Sequence, residues 1–178
     1  ESKKPIILAG AGVILANASQ ELKELSYLIN APVMTSLLGK GAIDETDDMA
    51  LGMLGMHGRK VANNSINESL IELTDFLKEN LIIAVGIRFS DRATGRLDSF
   101  APNSKIIHID IDPAEIGKNV DVDLPIVGDA KNVLSSLNNV LKDYESNEDA
   151  KKWVKLLIER KKECFPRVTY DDIPLKPQ

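Results

Sequence analysis

The sequence predicts an α/β protein, an open doubly wound parallel sheet with helices on both faces and right-handed crossovers. Three observations carry that expectation. Five short runs rich in Ile, Val and Leu are near-continuous rather than alternating, as suits strands buried on both faces. The longer segments between them place apolar residues at helical spacing. Each run also ends in a glycine- or aspartate-bearing loop, the punctuation expected where a parallel strand hands over to a crossover.

The first run, Ile6–Ala9, leads into Gly10-Ala11-Gly12. A helix follows with Leu22, Leu25, Leu28 and Ile29 on one face; Asn17 and Ser19 are available as N-caps, and Ala31-Pro32 stops it. The second run, Val33–Thr35, opens into Ser36 and Gly39. From Arg59 to Asn80, Ala62, Ile66, Leu70, Leu73 and Leu77 keep to one helical stripe. This predicts one long helix, or two broken near Thr74, with Asn80 as C-terminal cap before the third run, Leu81–Val85. The fourth run, Lys105–Ile109, leads into Asp110-Ile111-Asp112-Pro113, and the fifth, Leu124–Val127, into Gly128-Asp129. Asp129 is placed to cap a helix whose buried face is Val133, Leu134, Leu137, Val140 and Leu141. These elements make a domain over residues 1–142. Residues 143–178 read as a polar loop, a peripheral amphipathic helix (Lys151–Glu163, with Trp153, Leu156 and Leu157 inward) and a proline-bearing linker.

Composition bounds the function. The chain has 178 residues, 43% of them hydrophobic, enough for one ordinary domain with a core. Asp and Glu outnumber Lys and Arg 27 to 22, which argues against a general affinity for nucleic acid or anionic membrane. Leu81 to Ile87, the longest apolar stretch, is too short to span a bilayer, and no charged-then-apolar leader opens the chain, so a cytoplasmic protein is expected. One cysteine, Cys164, permits neither an internal disulfide nor a zinc site of its own. Two histidines leave few parts for acid–base or nucleophilic chemistry, and no catalytic residue is expected in this chain.

In an open parallel sheet the loops after the strand C-termini line one crevice. That places Gly10, Ala11, Gly12, Thr35, Gly86, Arg88, Asp91, Arg92, Asp110, Asp112, Gly128 and Asp129 along one edge. Glycine N–H groups can face a pyrophosphate, Arg88 and Arg92 can neutralise phosphate, and Asp112 or Asp129 can accept from ribose or adenine. The pattern reads as a nucleotide-cofactor crevice, although Gly10 and Gly12 are equally accounted for by turn geometry. The dinucleotide fingerprint lacks its third glycine, and Thr35-Ser36 stand where an acidic residue would hold ribose, which disfavours a standard NAD dehydrogenase. Gly55-Met56-His57-Gly58 reads as a surface loop suited to a flat ring or a partner subunit. His108 lies inside an apolar run and reads as a structural histidine. Asp110 and Asp112 are read as lying on opposite sides of an extended chain, not converging on a metal.

Taken together, Pro5–Gly12, Gly52–Gly58, Gly86-Ile87-Arg88-Phe89-Ser90-Asp91-Arg92, Ile107–Ile116 and Pro125–Ala130 resemble the central domain of the acetolactate synthase large subunit, in the family's order. That family is thiamine-diphosphate dependent and condenses two 2-oxo acids with loss of CO₂ in branched-chain amino-acid biosynthesis. The resemblance implies thiamine diphosphate and Mg²⁺ on domains flanking this one, neither of whose motifs is present here. Leu175-Lys176-Pro177-Gln178 looks like the start of the following domain. It implies FAD in this domain, against Gly10, Ala11, Gly12, Thr35, Leu54, Met56, His57, Gly58, Gly86, Arg88, Asp91 and Arg92, with Asp110, Ile111, Asp112, Gly128, Asp129 and Ala130 toward the adenosine end. It further implies the flanking thiamine-binding domains as partners, a homo-oligomer in the full-length form, and a regulatory subunit as a further partner. Two departures stand out: Ser90 replaces an aspartate common in the family, and about ten extra residues lie within Leu70–Asn80, which either lengthen the helix or displace the Gly86–Arg92 loop. The alternatives are a structural or interaction module with a vestigial cleft, or the central domain of a glyoxylate carboligase or oxalyl-CoA decarboxylase relative, the latter holding ADP.

Overall fold

A computed structural model describes residues 2–67, 80–97, 100–101 and 104–164. Six strands form one parallel sheet: β1 (Lys4–Ala9), β2 (Val33–Thr35), β3 (Ala50–Met53), β4 (Asn80–Val85), β5 (Ser104–Asp110) and β6 (Leu124–Val127), in the spatial order β3-β2-β1-β4-β5-β6. The helices are α1 (Ala11–Leu15), α2 (Ser19–Ile29), α3 (Lys60–Asn67), α4 (Asp91–Thr94), α5 (Ala130–Val140) and α6 (Glu148–Cys164), with a 3₁₀ turn at Leu37–Gly39. The order reverses between β1 and β4, whose residues pair in register from Lys4↔Asn80 to Ala9↔Val85.

Strand pleating divides the core. Ile7, Ala9, Ile83 and Val85 pack with Val13 of α1, Leu22 and Leu25 of α2 and Leu134 of α5. Their neighbours Ile6, Leu8, Ile82 and Ala84 face the other way, onto Val61, Ala62 and Ile66 of α3 and Trp153 and Leu157 of α6. Helices therefore cover both faces, which is why the central strand runs are near-continuously apolar.

Several expectations are corrected. β3 is a sixth strand that the sequence reading lacks: it is short, sits at the sheet edge, and carries a bulge, since Val33 pairs Ala50 while Met34 pairs Gly52. Gly52 holds φ +89, a conformation that favours glycine. Asn80, expected as a helix cap, is the first residue of β4. Neither Asn17 nor Ser19 caps α2; Ala18 holds the N-cap position, while Asn30, at φ +51, ends the helix with its N–H on the Ser26 and Tyr27 carbonyls. Asp129 does cap α5, accepting from the Asn132 N–H at 3.0 Å. On that helix Val140 is exposed. The helix expected at the periphery, α6, is a core element: Ala150, Trp153, Val154 and Leu157 are buried, whereas Leu156 is exposed. The Leu70, Leu73 and Leu77 stripe, the break near Thr74 and the extra segment lie outside the described residues, as does the linker from residue 165 onward.

Candidate cofactor site

Because every strand runs the same way, the loops that follow them share one edge, and the predicted site residues fall there. The switch point between β1 and β4 is the most tightly built part. The Gly10 N–H donates to the Val85 carbonyl at 2.9 Å and the Gly12 N–H to the Gly86 carbonyl at 3.1 Å. A Cβ on Gly10 would sit 2.0 Å from the Gly86 oxygen, and one on Gly12 2.6 Å from the Gly86 Cα. These glycines serve a backbone-to-backbone contact, and their N–H groups are engaged within the protein rather than open to a phosphate.

A second junction joins β3 to the loop after β4. Gly55, at φ +108, lies against Arg92: its Cβ would fall 2.2 Å from the Arg92 oxygen, and the same carbonyl accepts the Met56 N–H at 3.1 Å. The Asn63 side chain on α3 grips Gly55 from the other side, accepting its N–H and donating to its carbonyl, each at 2.9 Å. The turn closes with the Gly58 N–H on the Gly55 carbonyl at 2.8 Å. Met56 and His57 are thus raised to solvent on a fixed support. Asn63 was missed by the sequence reading, since nothing local marks an asparagine eight residues beyond the turn it holds.

The remaining residues divide by what their side chains do. Arg88, Asp91, Arg92, Ile111 and Asp112 are exposed. Thr35 is buried at the end of β2, and its Oγ1 has no hydrogen-bond partner. Leu54 and Ala130 are buried and pack as core. The chain is not extended past Asp110: Asp110 Oδ1 accepts the Asp112 N–H, Asp112 Oδ1 accepts the Ala114 N–H, both at 2.9 Å, and the Asp110 carbonyl accepts the Gly128 N–H. Both carboxylates therefore shape a turn. Among the described residues, no group of three or more His, Cys, Asp or Glu side chains is gathered as for a metal ion.

Exposed large apolar side chains are unevenly distributed. Leu15, Leu37, Leu38, Met56, Ile111 and Val127 all follow or end strands at this edge and are between 59% and 83% exposed. An apolar rim beside two arginines suits an amphipathic ligand, or a covering domain, better than a purely ionic one.

His108, on β5, is fully buried beneath this edge. Burial holds its imidazole below the ordinary value of 6.5, opposed by its bond to Ile87 and the charges of Asp110 and Glu115. The unfolded chain then takes up a proton near pH 6.5 that the folded chain refuses. Stability is expected to be flat above pH 6.5 and to fall as pH drops below it, until the lower folded-state value is passed, with a slope of at most about 1.4 kcal/mol per pH unit from this group. Denaturant titrations at stepped pH check this: the component that sets in below pH 6.5 should vanish in His108→Gln.

Comparisons with known proteins agree on one family. The model of the thiamine pyrophosphate enzyme central domain matches residues 1–137. A probable acetolactate synthase large subunit of Methanococcus aeolicus is 51% identical over 186 residues, covering 99% of this chain and 29% of that protein. Its counterpart in Methanocaldococcus jannaschii is 51% identical over 178 residues, covering 100% of this chain and 28% of that protein. The acetolactate synthase large subunit of Cyanidium caldarium is 42% identical over 181 residues, covering 29% of that protein. The chain thus spans under a third of the length of these relatives. Among the described residues, no helix is long and apolar enough to cross a membrane.

Proposed function

The chain belongs to the thiamine pyrophosphate enzyme central-domain family, and from that premise we propose that it is the FAD-holding central domain of an acetolactate synthase large subunit. The observation that carries the flavin reading is the row of exposed apolar side chains spread along the strand-end edge from Met56 to Val127, with Arg88 and Arg92 in the loop after β4 on the same edge. A dinucleotide with a flat apolar ring at one end and a charged pyrophosphate in the middle has the same mixed character.

The residues fit FAD with one adjustment. The Gly10 and Gly12 N–H groups are already bonded, so phosphate charge falls to Arg88 and Arg92 rather than to a glycine nest. Thr35 Oγ1 is buried at the end of β2 and has no hydrogen-bond partner there. Met56 and His57 offer a soft face and a polar ring edge, while Asp112 and Asp129 stand toward the β5–β6 side for adenosine. Flavin supplies two-electron redox chemistry, which a redox-neutral condensation of two 2-oxo acids does not consume. Its part in this domain is to be held and to hold geometry. The condensation itself belongs to thiamine diphosphate and Mg²⁺ on the flanking domains, which with further subunits are this chain's partners.

Titrating FAD into the purified chain and following flavin absorbance and fluorescence tests the reading. Weak binding is expected, because the rim is open and the ordering cost falls on this domain alone. Synthase activity is expected to be absent with or without added thiamine diphosphate. No binding at tens of micromolar flavin, about where an open half-site should begin to fill, would favour a purely structural module instead.

A further inference from the structure

We propose that His108 is a positioning residue for the loop at residues 86–92, acting through its Nε2–H on the Ile87 carbonyl; its bearing on cofactor binding rests on the flavin reading above. His108 lies on β5 between β4 and the edge strand β6, pairing with Ala84 and Pro125, and is fully buried. Its Nε2 lies 2.9 Å from the Ile87 oxygen. A carbonyl only accepts, so Nε2 carries the proton and Nδ1 is the bare nitrogen of the neutral ring. Nδ1 is buried without a partner.

That waste is informative. A buried imidazole with one nitrogen unsatisfied is a poor choice for packing alone, because an apolar ring would fill the space without the desolvation cost. What the imidazole adds is the single bond to Ile87. The bond belongs to a series: the Gly86 N–H donates to the Ile109 carbonyl at 2.8 Å, the Ile87 carbonyl takes His108, and the Arg88 carbonyl accepts from Asn119 Nδ2 at 2.9 Å. Three successive residues are drawn toward β5 and the segment after it. The chain then reverses at Phe89, which holds φ +47, a conformation rare for a bulky residue and kept only where its surroundings impose it. The Phe89 ring meets the His108 ring edge to face at 5.1 Å and Phe100 at 5.8 Å. Beyond that reversal, the Arg92 carbonyl receives Met56 from the β3 side. The loop therefore bridges the switch point, and His108 is its anchor from below. Losing that anchor loosens the stretch that carries Arg88 and the Asp91-Arg92 pair, which the bonds from Asn119 and Met56 then hold alone.

Three substitutions separate the hydrogen bond from the packing. His108→Gln puts an amide N–H where Nε2 was. His108→Asn is too short to reach, and His108→Phe keeps an aromatic ring against Phe89 but has no donor. Hydrogen exchange of the 86–97 segment and flavin affinity are measured in the 178-residue chain, with thermal unfolding recorded separately. Exchange in His108→Gln should stay near the wild type, while His108→Asn and His108→Phe should speed it by about tenfold, the factor for one lost bond of ordinary strength. Flavin affinity should fall by about the same factor in those two variants and not in His108→Gln. In the wild type, nitrogen-15 spectra should show the Nε2–H tautomer with a slowly exchanging ring proton, a reading that needs no variant to fold. Wild-type-like exchange in His108→Phe, failure of His108→Gln to restore it, or an Nδ1–H tautomer would each overturn the proposal. If the wild type binds no flavin, the cofactor reading fails, while the exchange and tautomer results still decide the role of His108.

Discussion

A chain ending at residue 142 is expected to lose its cooperative unfolding transition, while one ending at residue 164 keeps it. The difference is α6. It inserts Trp153 and Leu157, 5% and 0% exposed, against the sheet face formed by Ile6, Leu8, Ile82 and Ala84, together with α3. Full burial of two such side chains is worth roughly 3–6 kcal/mol before counting the sheet residues that their removal would uncover. That is comparable with the whole net stability of an ordinary domain, about 5–15 kcal/mol. The graded version is Leu157→Ala, which should cost about 2–5 kcal/mol by denaturant titration. Equal thermal midpoints for the two truncations would show that the domain closes at residue 142 without the helix.

Gly86→Ala should destabilise the chain by about 2–5 kcal/mol, lowering the melting temperature by on the order of 10 °C. Two costs combine. Gly86 holds φ +58, where an alanine is strained by about 1–2 kcal/mol. Its new Cβ would also fall 2.5 Å from the Gly12 Cα and 2.9 Å from the Gly12 nitrogen, and backbone cannot yield as a flexible side chain can; such overpacking adds about 1–3 kcal/mol. Gly95 provides the control. It holds φ +65 with nothing within 4 Å of its would-be Cβ, so Gly95→Ala should show the backbone strain alone. A loss at Gly86 of only about 1–2 kcal/mol, the backbone strain alone, would mean that the close approach of α1 to the loop after β4 contributes nothing.

The contrast between Gly86 and Gly95 marks where sequence reading stops. Both look like turn glycines, and only the neighbour brought up by the fold distinguishes them. The Gly10-Ala11-Gly12 run shows the same limit. Its position after the first strand was legible from the chain alone, but engagement of both glycine N–H groups depends on Val85 and Gly86, more than seventy residues away. Asn63 and Asn119 carried no local signal at all, because each acts on backbone that only the folded chain places beside it.

By itself the sequence determined the parallel α/β class, five of the six strands, the Asp129 cap, the buried character of His108 and the common edge of the candidate site. Those follow from short-range periodicity and capping chemistry, which a strand or helix carries within its own residues. It also carried the family, through motifs spread along the chain in order. The tertiary structure alone decided the order β3-β2-β1-β4-β5-β6, the bulged edge strand at Ala50–Met53, the place of α6 in the core, and the joining of the rim loops through Gly86, Arg92 and His108. Each of these is a contact between distant segments. Such contacts are selected by how two surfaces fit once both exist, and no period of two or 3.6 residues records that fit.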